Sequence, residues 1–108
     1  MRRGDLVTAA VAGDFGKPRP ALVIQADVFA EHPTVTVLPL TGNLLELRLT
    51  RVQVEPDSEN GLEKPSHVMI DKATTIKREK LGAPFGRLDA ITLAKVDKTL
   101  GTFLGITS

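Results

Sequence analysis

Residues 34–40, Thr-Val-Thr-Val-Leu-Pro-Leu, begin with a strict alternation of threonine and valine, and this stretch constrains the fold more than any other. Alternation with a period of two is typical of a strand that buries one of its faces. Pro39 lacks the N–H that a ladder needs, so we expect it to end the strand's pairing or to mark a bulge. The sequence therefore predicts a fold built on β-structure.

Four further short runs are apolar or alternating, and Gly, Pro and polar residues separate them. These runs predict strands at residues 5–11, 19–25, 46–54 and 66–71, with 73–76 continuing or following the last. In the run 46–54 the alternating phase slips by one residue, which indicates a bulge near Thr50. The polar stretch 55–65 predicts a loop whose tightest turn is Asn60-Gly61.

A helix is predicted at the C-terminal end, where Asp89 is a suitable N-cap and Gly105 a suitable stop. Apolar residues recur there at spacings of three and four, which places on one face Leu93, Val96, Leu100, Phe103 and Leu104. We expect this face, Phe103 included, to join the core. One helical turn is expected in each of the connections 27–33 and 78–83.

Together these elements predict a mainly β chain: a small, strongly bent antiparallel sheet or partly open barrel closed by a helix. The length of 108 residues fits one domain, spanning residues 1–108. With four Phe, no Trp and no Tyr, the core must be aliphatic.

Composition excludes several kinds of site. The chain has no Cys and two His, so it has neither a disulfide framework nor a thiolate metal site, and we expect no metal and no cofactor. No apolar run approaches the roughly 20 residues of a membrane helix, and a cytoplasmic location is expected. The net charge is +1, so any contact with nucleic acid must use locally concentrated positive charge.

Arg19 is the first candidate for chemistry, because Pro18 and Pro20 restrict the backbone on both sides of it. A guanidinium held on a stiff strand entrance suits a phosphate, since its planar fork donates two parallel hydrogen bonds. A structural alternative has equal standing: Arg19 pairs with a carboxylate and anchors the loop.

Two other segments combine polar side chains with strand ends. Thr41, Gly42 and Asn43 follow the alternating strand, where a ligand can approach the glycine backbone closely. An ordinary turn cap is the alternative, and composition favours it. The strand at 66–71 places Ser66 and His67 on opposite faces, which excludes a Ser/His/Asp triad with Asp71.

Taken in order, these segments resemble the MazF/PemK (Kid) family of toxin endoribonucleases. The matching stretches are Arg3–Val7, Gly16–Gln25, Val37–Thr41, Asn60–Leu62, Ser66–Lys72 and Phe103–Ile106. The resemblance implies a small SH3-like barrel of five to seven strands with a C-terminal helix, usually dimeric. It also implies an antitoxin partner and metal-independent, sequence-specific cleavage of single-stranded RNA, commonly mRNA.

The resemblance also implies residue roles. Arg19 matches the family's catalytic Arg, and Thr41 matches its catalytic Thr or Ser. Ser66 and Asp71 align with positions that contact RNA or carry an acid in some members. Met69 departs from the PemK/Kid branch, which has a catalytic Arg there, and this departure favours the Arg/Thr arrangement of the MazF branch.

RNA supplies its own nucleophile, the ribose 2′-OH, so a protein can cleave it by orientation and charge stabilisation. Candidates for reading the bases are the hydrogen-bonding side chains Lys17, Asn43 and Lys72, and the ring of Phe15, the one Phe expected to be exposed. His67 has a suitable resting pKa for a general base, but the base stays unassigned.

Two alternatives remain at this point. The same barrel serves the CcdB family of toxins, which bind gyrase and have no nuclease activity. That family lacks the Gly-x-x-Arg-Pro loop, so Arg19 and Thr41 favour the nuclease. An inactive homologue that only binds an antitoxin is the second alternative, and the presence of both residues argues against it.

Overall fold

The computed structural model describes residues 1–10, 17–47 and 49–107. In these ranges the chain forms a curled antiparallel sheet with one helix. The sheet's strands in these ranges are β1 (Asp5–Ala9), β2 (Arg19–Val23), β3 (Thr34–Thr41), β4 (Arg51–Val54), β5 (Ser66–Met69), β6 (Thr74–Lys77) and β7 (Gly86–Arg87). The helix, α1, spans Ala90–Phe103. This architecture confirms the predicted mainly β class with a C-terminal helix.

The strand β3 organises the sheet, whose order is β4-β5-β3-β2-β1-β7 with β6 also paired to β3. The first half of β3, Thr34 to Val37, pairs with β6, while Leu40 and Thr41 pair with β5. Pro39 lies between these two stretches and opposite Ala21 of β2, so its missing N–H is tolerated there. The β2–β3 ladder therefore ends at Pro39, as predicted, while the strand itself continues to Thr41 by pairing with β5.

Successive residues of the central strands bury their side chains on opposite faces of the sheet. Leu6, Leu22 and Leu38 belong to one apolar cluster, and Val7, Ala21 and Val37 belong to the other. The helix α1 packs against the first cluster through three residues: Val96, Leu93 and Leu100. All of these buried side chains are aliphatic, as the composition requires.

The end of α1 departs from the predicted apolar face. Phe103 is 48% exposed and Leu104 is 54% exposed, so the expectation that Phe103 joins the core was wrong. The helix begins as predicted, because the Asp89 carboxylate accepts a hydrogen bond from the Thr92 N–H at 3.0 Å. It ends before Gly105, which has a φ of +74° that favours glycine.

The strand predicted at 46–54 is shorter than expected. Only Arg51–Val54 forms β4, while residues 43–47 are irregular and residues 49–50 form a turn. The alternating leucines of this stretch, Leu47 and Leu49, are exposed, so the alternation does not mark a buried face. Similarly, the strand predicted at 66–71 ends at Met69, and Ile70–Lys72 forms a 3-10 turn.

The remaining connections match their predictions. Single 3-10 turns occur at Asp27–Phe29 and Arg78–Lys80, and Gly61 in the polar loop adopts a φ of +68°. In the described part of the chain, no helix has the length and apolar character that crossing a membrane requires.

Candidate functional site

An open cavity of about 480 Å³ lies where β2, the end of β3 and the polar loop before β5 meet. Arg19 and Thr41, which are distant along the chain, both belong to its lining. The other described residues that line it are Thr8, Pro20, Leu40, Gly42, Gly61, Leu62, Glu63, Lys64, Ser66 and Phe85. The fold thus brings the two predicted catalytic residues to one concave surface.

Arg19 begins β2 and pairs in register with Ala9 of β1, directly before Pro20, which pairs with Thr8. Arg19 is exposed and lines the cavity. The pairing with β1 and the ring of Pro20 restrict the backbone at this position. The guanidinium is therefore attached to a rigid part of the chain. A planar guanidinium with this support suits bidentate contact with phosphate oxygens.

Thr41 is the last residue of β3, and its hydroxyl takes part in the turn that follows. The Asn43 N–H donates a hydrogen bond to Thr41 Oγ1 at 3.1 Å. This contact uses a lone pair of the oxygen and leaves its O–H hydrogen available as a donor. Among the described residues no acceptor for that hydrogen is observed, so Thr41 can donate to an anion in the cavity.

A chain of polar contacts continues from this turn to His67. Arg51 Nη1 donates to the Asn43 carbonyl at 2.7 Å and lies 3.5 Å from His67 Nδ1. His67 Nε2 lies 3.4 Å from Gln53 Oε1, which fits the neutral tautomer that carries its proton on Nε2. Burial, followed by the nearby Arg51 charge, lowers the pKa of His67 below 6.5.

The sequence suggested His67 as a candidate general base, but His67 does not line the cavity that contains Arg19 and Thr41. It is 7% exposed and lines a second cavity, of about 350 Å³, with Arg51, Gln53 and the irregular stretch Leu44–Leu47. Both ring nitrogens already have partners, so the ring is poorly placed to accept a proton from a substrate in the first cavity. The His67 ring instead lies beside Arg51, which donates to the Asn43 carbonyl in the turn that carries Thr41.

Of the other predicted site residues, some reach the cavity and others do not. Ser66 lines the cavity, but it is buried and its hydroxyl donates to the Lys64 carbonyl at 3.0 Å. Lys17, Asp71 and Lys72 are exposed and do not line the cavity. Phe15 lies outside the described residues.

Sequence reasoning missed residues that only the tertiary fold brings to the cavity. Phe85, which is 38% exposed, contributes an aromatic ring to the lining, so the expectation that Phe15 alone is exposed was wrong. Glu63 and Lys64 contribute opposite charges from the polar loop. No periodicity marks such loop residues, and the turn at Asn60-Gly61 was the nearest signal.

Within residues 1–10, 17–47 and 49–107, no three acidic or histidine side chains are grouped so that they could hold a metal ion. The chemistry that the described cavity offers is a guanidinium, an ammonium, a carboxylate and hydroxyl groups beside an aromatic ring. These groups suit the binding of an anionic ligand that carries planar bases.

Comparison with known proteins gives a consistent result. Residues 2–104 match the family model of PemK-like, MazF-like toxins of type II toxin–antitoxin systems. The probable endoribonuclease MazF of Mycolicibacterium smegmatis is 45% identical over 107 residues, which are 98% of each chain. The endoribonuclease EndoA of Bacillus subtilis is 30% identical over 112 residues, covering 98% of this chain and 96% of EndoA.

Solved structures share the fold. The Mycobacterium tuberculosis toxin MazF-mt6 superposes with a TM-score of 0.82 at 30% identity, covering 96% of this chain and 99% of that one. An endoribonuclease from a mycobacterial species, solved in complex with its cognate antitoxin, superposes with a TM-score of 0.83 at 24% identity. That pair covers 100% of this chain and 98% of the other.

Proposed function

This chain belongs to the family of PemK-like, MazF-like toxins of type II toxin–antitoxin systems, and from this premise we propose that it cleaves single-stranded RNA, chiefly mRNA, in the Arg19–Thr41 cavity. The relatives named endoribonuclease, at 45% and 30% identity over almost the whole chain, support an endoribonuclease activity. The observation that carries the proposal is that one cavity of about 480 Å³ contains both a guanidinium and an alcohol.

The proposed reaction is attack of the ribose 2′-OH on the adjacent phosphorus. A bond forms between O2′ and phosphorus while the bond from phosphorus to O5′ breaks, giving a 2′,3′-cyclic phosphate (or 3′-phosphate after hydrolysis) and a 5′-OH. The proton leaves O2′ for a base, and O5′ receives a proton as it departs. DNA lacks the 2′-OH and is therefore resistant.

Arg19 and Thr41 divide the work on the phosphate. The pentacoordinate intermediate carries one more negative charge than the diester, and the Arg19 guanidinium stabilises that added charge. The Thr41 O–H donates to a phosphate oxygen and orients it, because the Asn43 N–H already fixes the hydroxyl from the other side. A threonine hydroxyl is too weak a base at neutral pH to take the O2′ proton, so the base is another group.

Other features follow from membership of the family. We propose that residues 1–108 act as one toxin domain, that this domain forms a homodimer, and that it binds a cognate antitoxin. The mycobacterial endoribonuclease that shares the fold was solved in complex with its cognate antitoxin, which supports the antitoxin partner. The cytoplasm, where mRNA is found, is the proposed location. A CcdB-like toxin that binds gyrase without cleaving RNA is not favoured, because the chain matches the family of PemK-like, MazF-like toxins and its relatives are named endoribonucleases.

The test is cleavage of a long single-stranded RNA, and of DNA of the same sequence, by the purified protein in EDTA. We expect RNA cleavage with 5′-OH ends and no DNA cleavage. Arg19→Ala should reduce the rate by about 10²–10³-fold, as the loss of one such donor typically does. Arg2→Ala is the matched control, since Arg2 is exposed and the ion pair seen for its side chain among the described residues is a long one, 3.9 Å to Asp27. Equal rates for Arg19→Ala and the wild type would refute the assignment.

A further inference from the structure

Lys64 extends across the backbone of Gly42, the residue that follows Thr41. A Cβ atom built on Gly42 would lie 2.7 Å from Lys64 Nζ and would overlap Lys64 Cε. Both residues line the cavity that contains Arg19 and Thr41. The absence of a side chain at position 42 thus lets the Lys64 ammonium lie beside the Thr41 turn.

The backbone that carries Lys64 is held on both sides. After it, the buried Ser66 hydroxyl donates to the Lys64 carbonyl at 3.0 Å. Before it, the Leu62 N–H donates to Oδ1 of Asn60, whose side chain is 2% exposed. A cation on an anchored backbone loses less freedom when it binds a ligand than one on a loose loop.

Lys64 also makes the described part of the cavity lining positive. Of the described residues in the lining, Arg19 and Lys64 are cationic and Glu63 is anionic, so the formal charge is +1. Without Lys64, the charges of Arg19 and Glu63 cancel and this lining is neutral. A positive lining concentrates a polyanion such as RNA, whereas a neutral one does not.

We propose that the Lys64 ammonium binds a phosphate of the RNA backbone beside Thr41 and so acts as a second phosphate-binding cation of the cavity, an inference that rests on the proposed ribonuclease function. The Lys64 ammonium is a point charge with freely rotating donors, and the phosphate that it contacts is negative in both the bound and the reacting states. Lys64 therefore contributes chiefly to RNA binding and to KM, and Arg19 chiefly to kcat.

The first experiment measures binding of a single-stranded oligonucleotide, made non-cleavable by 2′-deoxy substitution at the scissile nucleotide, over a series of salt concentrations. The wild type is compared with Lys64→Gln and with Lys95→Ala, a control that removes an exposed lysine on α1. Lys64→Gln should weaken binding on the order of 5-fold. It should also reduce the slope of log K against log salt by about 0.7, the value for one lost phosphate contact on a single strand.

The second experiment moves the ammonium without removing its charge. Gly42 does not require a left-handed backbone, so Gly42→Ala preserves the turn while its methyl group displaces Lys64 Cε and Nζ. We expect Gly42→Ala to raise KM in the cleavage assay with little change in kcat. In a Lys64→Gln background, Gly42→Ala should have no further effect, since the two changes remove one interaction.

Three outcomes separate the two proposals. The inference is supported if the wild type cleaves RNA, Lys64→Gln binds RNA with a reduced salt slope, and Lys64→Arg restores the affinity. If the wild type cleaves RNA but Lys64→Gln binds RNA with the same affinity and salt slope as the wild type, the inference is overturned and the proposed function stays intact. A wild type that neither binds nor cleaves RNA overturns the proposed function and this inference with it.

Discussion

Asn60 holds together the loop that forms one side of the candidate site, and its removal should cost a large part of the protein's stability. Asn60 Oδ1 accepts hydrogen bonds from the Asp57 N–H at 3.1 Å and the Leu62 N–H at 3.0 Å, and Nδ2 donates to the Glu55 carbonyl at 2.8 Å. The side chain is 2% exposed, so water has little access to replace it. With about 1 kcal/mol for each hydrogen bond, Asn60→Ala should lower the free energy of unfolding by about 3 kcal/mol.

Urea unfolding at equilibrium measures this change, and the slope m should stay the same because the folded core is unaltered. The thermal midpoint should fall by at least about 12 °C, on a scale of roughly 4 °C for each kcal/mol in a domain of this size. Glu59→Ala is the control, since Glu59 is exposed in the same loop and uses only its backbone in the observed hydrogen bonds. A loss below 1 kcal/mol for Asn60→Ala would refute the assigned role of these hydrogen bonds.

Two further predictions concern pH and the helix cap. Because burial and Arg51 lower the pKa of His67 below 6.5, the unfolded chain takes up a proton before the folded chain does. Stability in urea should therefore fall as the pH drops through 6.5 and level off below the folded pKa, and His67→Gln should flatten that part of the profile. Asp89→Ala should cost about 1 kcal/mol at neutral pH, measured by urea unfolding. Hydrogen bonds from the Thr92 hydroxyl and N–H lower the pKa of Asp89, so the difference from the wild type should shrink as the pH falls below 3.8.

The sequence predicted those elements whose signals are local. The alternating Thr-Val run forms β3, and Asp89 caps the start of α1. Both patterns depend on residues that are close together in the sequence, so the sequence alone shows them. The alternation of Leu47 and Leu49 was misleading, since the described fold places no core against these side chains. Phe103 lies on the predicted face of the helix, but it is at the end of α1, beyond the buried contact at Val96.

The candidate site was predicted in part. Arg19 and Thr41 came from a resemblance and from strand ends, and the sheet brings both to one cavity. Lys64 could not be identified, because it lies in a loop without periodicity and reaches the site only by crossing Gly42. Likewise, the partners of His67 on β4 follow from the β4–β5 register, which the sequence did not indicate.

The central claim is that Arg19 and Thr41 act on the same scissile phosphate. A double-mutant cycle of single-turnover RNA cleavage rates, with the wild type, Arg19→Ala, Thr41→Val and the double variant, tests it most directly. Groups that act as a unit are non-additive, so the double variant should lose much less rate than the product of the two single losses. Losses that multiply, or a Thr41→Val variant that cleaves at the wild-type rate, would contradict the claim.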